Sequence, residues 1–335
     1  MKMSVKLALD AMGGDFAPSE IIKGAEIACL SDPGIEVQLI GEIAKTNKFL
    51  STKASKQIKV IEAKEVIGMH ESAAKAVKAK PDSSIVVGMK EVKEGRAQAF
   101  ISAGNTGAVM TSALLYLGRI KGISRPAIAV VLPTSKRPVI LIDAGANSDC
   151  KVNHLYQFAL MGHAYSKNVF DVSNPLVGLL NIGSEKGKGD DFVNEAHDLL
   201  EQSNLNFYGN IEGRDVSKGI TDVIVCDGFI GNIVLKTMEG LASVLFEDLK
   251  EIINSATRNK VGGFLLSPSL KKMRKRLDQD TYGGSLLLGV NNICVICHGS
   301  ANSTAIANAL AYAKIAVEHN VVEKIKRDLE TNGQN

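Results

Sequence analysis

Ala99-Phe-Ile-Ser-Ala-Gly-Asn-Thr-Gly107 decides the class of fold. Residues 99–101 are apolar throughout, as in a parallel strand covered on both faces. Ser102-Ala-Gly-Asn-Thr-Gly107 then supplies turn and cap residues, and a helical pattern follows. The same succession of apolar run, Gly-bearing turn and helical pattern recurs at Asp10-Ala-Met-Gly-Gly-Asp15, Asp143-Ala-Gly-Ala-Asn147, Asp227-Gly-Phe-Ile-Gly-Asn232 and His298-Gly-Ser-Ala-Asn302.

Working outward from these turns, strands are expected at 5–9, 37–40, 58–61, 99–101, 127–132, 139–142, 177–181, 207–208, 222–226 and 293–297. Helices are expected at 19–30, 71–79, 83–94, 155–166, 192–202, 231–254 and 303–319. This alternation predicts an α/β fold with a mainly parallel sheet. The expected organisation is a single large domain over 1–330 with a ligand cleft, a basic helical insertion at 264–281, and a frayed tail at 331–335. In open α/β sheets, ligands bind at the carboxyl ends of the strands. Gly and Asn at one such position need only make a tight turn. Five turns of the same chemistry point to a shared polar cleft.

Composition narrows the function. Of 335 residues, 45% are apolar and 22% charged, which suits a chain with a full core. A net charge of +3, no Trp and only 5% aromatics give no support to nucleic-acid binding. The apolar stretches are broken by charge or Gly before the roughly 18 residues a membrane span needs, and residues 1–10 lack a signal-peptide core, so a cytoplasmic location is expected. Five scattered cysteines, an odd number, read as reduced thiols.

Two motifs are excluded by their spacing. Gly183-Ser-Glu-Lys-Gly-Lys-Gly189 is one residue too short between its first Gly and the Gly-Lys for a phosphate-binding P-loop, and Gly replaces the required Ser or Thr. No Gly-x-Gly-x-x-Gly follows the first strand, so a dinucleotide site lacks support. Cys294 and Cys297 lie in a strand-like run, where positions three apart face opposite ways and cannot pair. No further Cys or His pair stands at zinc-ligand spacing, so no metal site is expected, and no cofactor is expected either.

Ser102, Asn105 and Thr106 are the anion candidates. Backbone N–H groups at a helix opening, two hydroxyls and an amide can hold phosphate. The same spacing fits an ordinary helix cap. His298 opens the turn into the last long helix and can serve as a general acid or base, or as a hydrogen-bonded support for another group.

Ser267-Pro-Ser-Leu-Lys-Lys-Met-Arg-Lys-Arg-Leu277 reads as a basic amphipathic helix, with Ser267 as cap and Pro268 in the first turn. Leu270, Met273 and Leu277 share one face, while Lys272, Arg276 and three further cations cover the rest. Such a helix suits an anionic membrane surface or an acidic protein partner. A solvated face beside a core has the same pattern.

Longer stretches carry a resemblance. Ala8-Leu-Asp-Ala-Met-Gly-Gly-Asp-Phe-Ala-Pro18, Lys90-Glu-Val-Lys-Glu-Gly95, Ile101-Ser-Ala-Gly-Asn-Thr-Gly-Ala108, Gly118-Arg-Ile-Lys-Gly-Ile123, Phe207-Tyr-Gly-Asn-Ile-Glu-Gly-Arg-Asp215, Cys226-Asp-Gly-Phe-Ile-Gly-Asn232 and Tyr282-Gly-Gly284 resemble the phosphate acyltransferases of bacterial phospholipid synthesis. Gly231-Asn232, Leu288-Gly289 and His298-Gly-Ser300 also resemble phosphotransacetylases. The resemblance implies a three-layer α/β/α fold of the isocitrate/isopropylmalate dehydrogenase-like type and a homodimer. It implies transfer of a fatty acyl group from acyl carrier protein to inorganic phosphate, with the product passing to a membrane acyltransferase. His298 and Asn232 are then the catalytic candidates. Ser102, Asn105, Thr106, Gly231 and Ser300 are candidates for phosphate and thioester binding. Leu270, Lys272, Met273 and Arg276 are candidates for membrane or carrier docking.

The chain departs from the family pattern where Asn302 stands in place of an acid, Ala301 in place of Ser, and His70 in a segment that is usually more acidic. The competing readings are an NAD-dependent dehydrogenase of the related fold and a catalytically idle membrane adaptor.

Overall fold

The computed structural model describes residues 4–51, 56–277 and 283–332. Among them, eleven strands form one sheet: β1 (Val5–Asp10), β2 (Ile35–Gly41), β3 (Ile58–Glu62), β4 (Ala99–Ser102), β5 (Ala127–Leu132), β6 (Val139–Ile142), β7 (Val177–Leu180), β8 (Phe207–Ile211), β9 (Val223–Val225), β10 (Ser285–Leu288) and β11 (Ile293–Ile296). Their order is β3-β2-β1-β4-β11-β10-β5-β6-β9-β7-β8. Pairing is parallel except at the centre, where β10 runs antiparallel to β11 and β5, and β5 antiparallel to β6. The two parallel halves therefore run in opposite directions. Register carries across the seam: Leu9, Ile101, Val295, Leu286, Ala129 and Ile142 stand in one row. β10 escapes sequence reading because Leu286–Leu288 has no β-branched or aromatic residue and sits between Gly284 and Gly289.

Alternation along each strand fills two cores. Leu7, Leu9, Ile101 and Val295 point to one face, and Ala8, Phe100, Cys294 and Ile296 to the other. Cys294 and Cys297 fall in opposite cores and form no disulfide among the described residues, as strand geometry requires. The first core is covered by α1 (Ser19–Ser31), α6 (Val152–Val169), α7 (Asp191–Glu201), α11 (Ser303–Glu318) and α12 (Val321–Asn332). The second lies under α3 (Ala73–Ala79), α4 (Ser84–Lys93), α5 (Thr106–Ser112, continued by a π turn at Ala113–Leu117) and the start of α9 (Gly228–Asn254). This is the expected three-layer α/β/α arrangement.

Beyond Leu235 no residue of α9 is buried, and it folds back as α10 (Thr257–Leu277). Together they form an arm that stands off the sheet. The expected insertion at 264–281 is thus placed differently: its helix begins at Thr257, Pro268 lies inside it, and Ser267 does not cap it. Residues 278–282, with Tyr282 among them, and 333–335 lie outside the described residues. By length and composition α9 could cross a membrane, contrary to the reading from apolar stretches. Its apolar stretch is contiguous in sequence and is interrupted only by Lys236 and Glu239.

α1 and α11 pack closely because Gly24 has no side chain. A Cβ there would meet Ile306 Cβ at 2.6 Å and the Ser303 carbonyl at 2.8 Å. Replacing Gly24 with Ala overpacks this contact and should cost about 1–3 kcal/mol. The check is the urea midpoint, which should fall with the slope unchanged; an unaltered midpoint would show that the contact relaxes freely.

Candidate active site

Two buried carboxylates organise the turns. Asp143 ends β6 with no exposed surface, and its oxygens accept from the amides of Ile128 (3.0 Å), Gly145 (3.2 Å), Ala146 (3.0 Å) and Asn147 (2.7 Å), and from Asn147 Nδ2 (2.8 Å). Burial pushes its pKa up, and these N–H donors oppose the push by favouring the charged form. Asp10, equally buried at the end of β1, accepts from Ser102 Oγ at 2.7 Å and Met12 N at 3.0 Å. Burial raises its pKa too, and the hydrogen bonds counter this.

The 143–147 turn seats α9. A Cβ on Gly231 would stand 1.8 Å from the Asp143 carbonyl oxygen, and one on Gly228 would lie 2.7 Å from Asn147 N. Only glycine permits this approach. α9 then carries Asn232, Lys236 and Glu239 along one side into a cavity of about 430 Å³. Thr106, Asp15 and His298 line the same cavity, and Ile128, Val130, Leu235 and Ile296 give it an apolar floor. The turns after β1 and β11 are tied together where Asp15 N donates to the Gly299 carbonyl at 2.7 Å.

Three helix openings face this region, and they differ in what their amides already do. At α9, Asp227 Oδ1 accepts from Phe229 N (2.8 Å) and Ile230 N (2.9 Å), while Gly228 N donates to Asn147 O. At α11, Asn302 Oδ1 accepts from Thr304 N (2.9 Å) and Ala305 N (3.0 Å), and Glu20 accepts from Ser303 N (2.8 Å). Asn302 is therefore the cap of α11, a role in which Asn and Asp are equivalent. At α5, Asn105 Oδ1 takes Ala108 N at 3.0 Å, and the amides of Thr106 and Gly107 have no partner among the described residues. The α5 opening is the one with amides to spare for an anion.

A polar chain crosses the cavity wall. Lys236 Nζ lies 2.8 Å from Glu239 Oε2 and 2.9 Å from His298 Nε2, and His298 Nδ1 lies 2.7 Å from Ser300 Oγ. A lysine ammonium only donates, so Nε2 of His298 accepts. Ser300 N also donates to Nδ1 at 3.3 Å, so Ser300 meets that nitrogen with both its hydroxyl and its amide.

The candidates from the sequence divide accordingly. Thr106, Asn232 and His298 line the cavity. Ser300 holds the His298 ring. Gly231 is a backbone seat beneath the cavity. Ser102 is buried on Asp10, and its Oγ also accepts from Gly104 N at 2.9 Å. Asn105 spends its Nδ2 on the carbonyls of Gly68 (3.2 Å), Met69 (3.1 Å) and Glu71 (3.1 Å), so its amide group pins the 68–71 segment. Lys236 and Glu239 were missed. They follow Asn232 at i+4 and i+7 on the same helix, the spacing of one helical face.

A family model described as "Fatty acid synthesis protein" matches residues 5–324. The chain is 48% identical over 327 residues to a phosphate acyltransferase of Desulfitobacterium hafniense, covering 97% of this chain and 98% of that protein. It is 48% identical over 334 residues to a phosphate acyltransferase of Halothermothrix orenii, covering 98% and 100%. In fold it is similar to a phosphotransacetylase from Streptococcus pyogenes, with a TM-score of 0.63 at 17% identity over 94% of each chain. This chain accordingly belongs to the fatty acid synthesis family, among the phosphate acyltransferases.

Proposed function

We propose that the chain transfers a fatty acyl group from acyl carrier protein to inorganic phosphate, giving the acyl phosphate used in phospholipid synthesis. The observation that carries the site assignment is the convergence of Thr106, Asn232, Lys236 and His298 on one cavity with an apolar floor. Phosphate is its own nucleophile. Its oxygen attacks the thioester carbon, the C–O bond forms, the C–S bond breaks, and the sulfur leaves as a thiolate. The proton carried in on hydrogen phosphate leaves the acyl phosphate and ends on the thiolate.

The protein's tasks are placement, charge stabilisation and this proton transfer. Lys236 and the spare α5 amides hold the phosphate. Lys236 also supplies positive charge where negative charge develops, and Glu239 fixes its position. His298, whose Nε2 faces Lys236 in the cavity, exchanges the proton at that nitrogen and returns it to the thiolate.

The test is phosphate-dependent loss of carrier-protein thioester without NAD. Lys236→Met should lower kcat/KM for phosphate by about 10²–10³-fold. His298→Ala should lower kcat by about 10²–10⁴-fold and leave the circular dichroism spectrum unchanged. Unchanged phosphate kinetics in the Lys236 variant would remove it from the site.

We infer further that the protein works in the cytoplasm as a homodimer that docks on membranes through the arm. Ile233, Leu241, Leu245 and Ile252 form an exposed apolar stripe along α9, at a spacing suited to a second copy of the same helix. Phe264 and Leu265 on α10 are exposed at 81% and 73%, and the cations from Lys271 onward follow them. Each cation near an anionic leaflet adds about 1 kcal/mol.

Leu241→Glu with Leu245→Glu should give a monomer by light scattering; a dimer of unchanged mass would move the interface elsewhere. Leu270→Glu with Met273→Glu should release the protein from anionic vesicles in flotation while transfer in solution persists. Lys272→Glu with Arg276→Glu should slow transfer in solution only where carrier protein docks on α10. Vesicle binding that survives both pairs would end the membrane assignment.

A further inference from the structure

The far edge of the sheet carries a second polar cluster that acyl transfer does not use. α7 presents His197, Asp198 and Glu201 at i, i+1 and i+4. One ring nitrogen and one oxygen from each carboxylate lie within 4.8 Å of one another. Glu201 and His197 line a cavity of about 490 Å³ whose other walls include Lys186, Phe207 and Asn210. His197 is only 6% exposed, its ring meets Phe207 edge-on at 5.2 Å, and its Nδ1 lies 3.8 Å from Asp198 Oδ1. Among the described residues that nitrogen has no hydrogen-bond partner, and neither has the buried Oδ1 of Asn210 in the same cavity. Two buried polar atoms without partners are costly to keep.

The positive charge that the cluster attracts is present in provisional form. Lys186 Nζ lies 3.0 Å from Asp198 Oδ1 and 2.6 Å from Glu201 Oε2. An ammonium satisfies carboxylates but offers nothing to a ring nitrogen that it does not reach. A divalent cation that prefers mixed nitrogen and oxygen donors satisfies all three side chains, with metal–ligand distances of about 2.0–2.2 Å. His with carboxylates and no thiolate suits the zinc class and disfavours magnesium and calcium, which take oxygen donors.

We propose that His197, Asp198 and Glu201 form a binding site for a divalent transition-metal ion of the zinc class, with Lys186 as the internal cation that the metal displaces. The displacement has a structural consequence. Lys186 sits in Gly183-Ser-Glu-Lys-Gly-Lys-Gly189, the stretch that only superficially resembles a nucleotide loop. Its two ion pairs latch that loop to α7. The loop is otherwise held where Asn181 Nδ2 donates to Lys188 O at 2.9 Å and Asn210 Nδ2 to Glu185 O at 3.2 Å. Metal binding on α7 therefore unlatches the loop from the helix.

The test uses the full, tag-free chain with Zn²⁺ by calorimetry and Co²⁺ by visible absorption. Asp198 and Glu201 are exposed, so Asp198→Asn and Glu201→Gln should fold normally, and each should weaken Zn²⁺ binding by about tenfold or more. Lys186→Met removes the competitor and should strengthen binding. The Co²⁺ complex should show ligand-field bands without thiolate charge transfer. Equal Zn²⁺ affinity in all four proteins, thiolate charge transfer in the Co²⁺ spectrum, or no Zn²⁺ binding by the Lys186→Met protein would each overturn the assignment.

Discussion

The site depends on a carboxylate that never meets the substrate. Asp143 gathers four backbone amides and one side-chain amide around a single buried carboxyl group. Such a polar group is tolerable in a low-dielectric interior because it is fully hydrogen-bonded. The gathered turn has a fixed shape, and Gly228 and Gly231 lay α9 directly against it. The Asp143 network thus sets where α9 carries Asn232 and Lys236 into the cavity, and Glu239 and His298 then hold the Lys236 ammonium. Asp10 acts likewise in the other half of the sheet, where it fixes Ser102 beneath the α5 opening.

Capping then decides which helix opening remains available. Asp227 and Asn302 close their own helices. Asn105 closes only part of α5, because its Nδ2 is committed to the 68–71 carbonyls and its Oδ1 to a single amide. The three turns look alike in sequence, since each carries a Gly and an Asn or Asp near a helix start. What separates them is the direction of one side chain, and spacing does not contain that information.

Most strands were legible because each is a short apolar run bounded by turn residues, and even the seam strands at 127–132 and 139–142 fall where the pattern puts them. β10 was not, because Leu286–Leu288 has no β-branched or aromatic residue and sits between Gly284 and Gly289. The arm misled at its start, since Pro268 suits a first helical turn but lies inside α10. Cys294 and Cys297 behaved as strand geometry demands. Asn302 read as a lost acid, and folded it is an intact cap. His298 and Asn232 stood out through their turns, whereas Lys236 became visible only when a histidine 62 positions away came within 2.9 Å of it.

α9 is one continuous rod, rooted in the cavity and bare along its outer length. At 1.5 Å per residue, the 18 residues from Lys236 to Asn254 span about 27 Å. Whatever surface seats the far end of the rod is held at that stand-off from the reacting atoms. The geometry is that of a mooring. The reacting atoms and whatever meets that end are thus kept apart by the length of the helix itself.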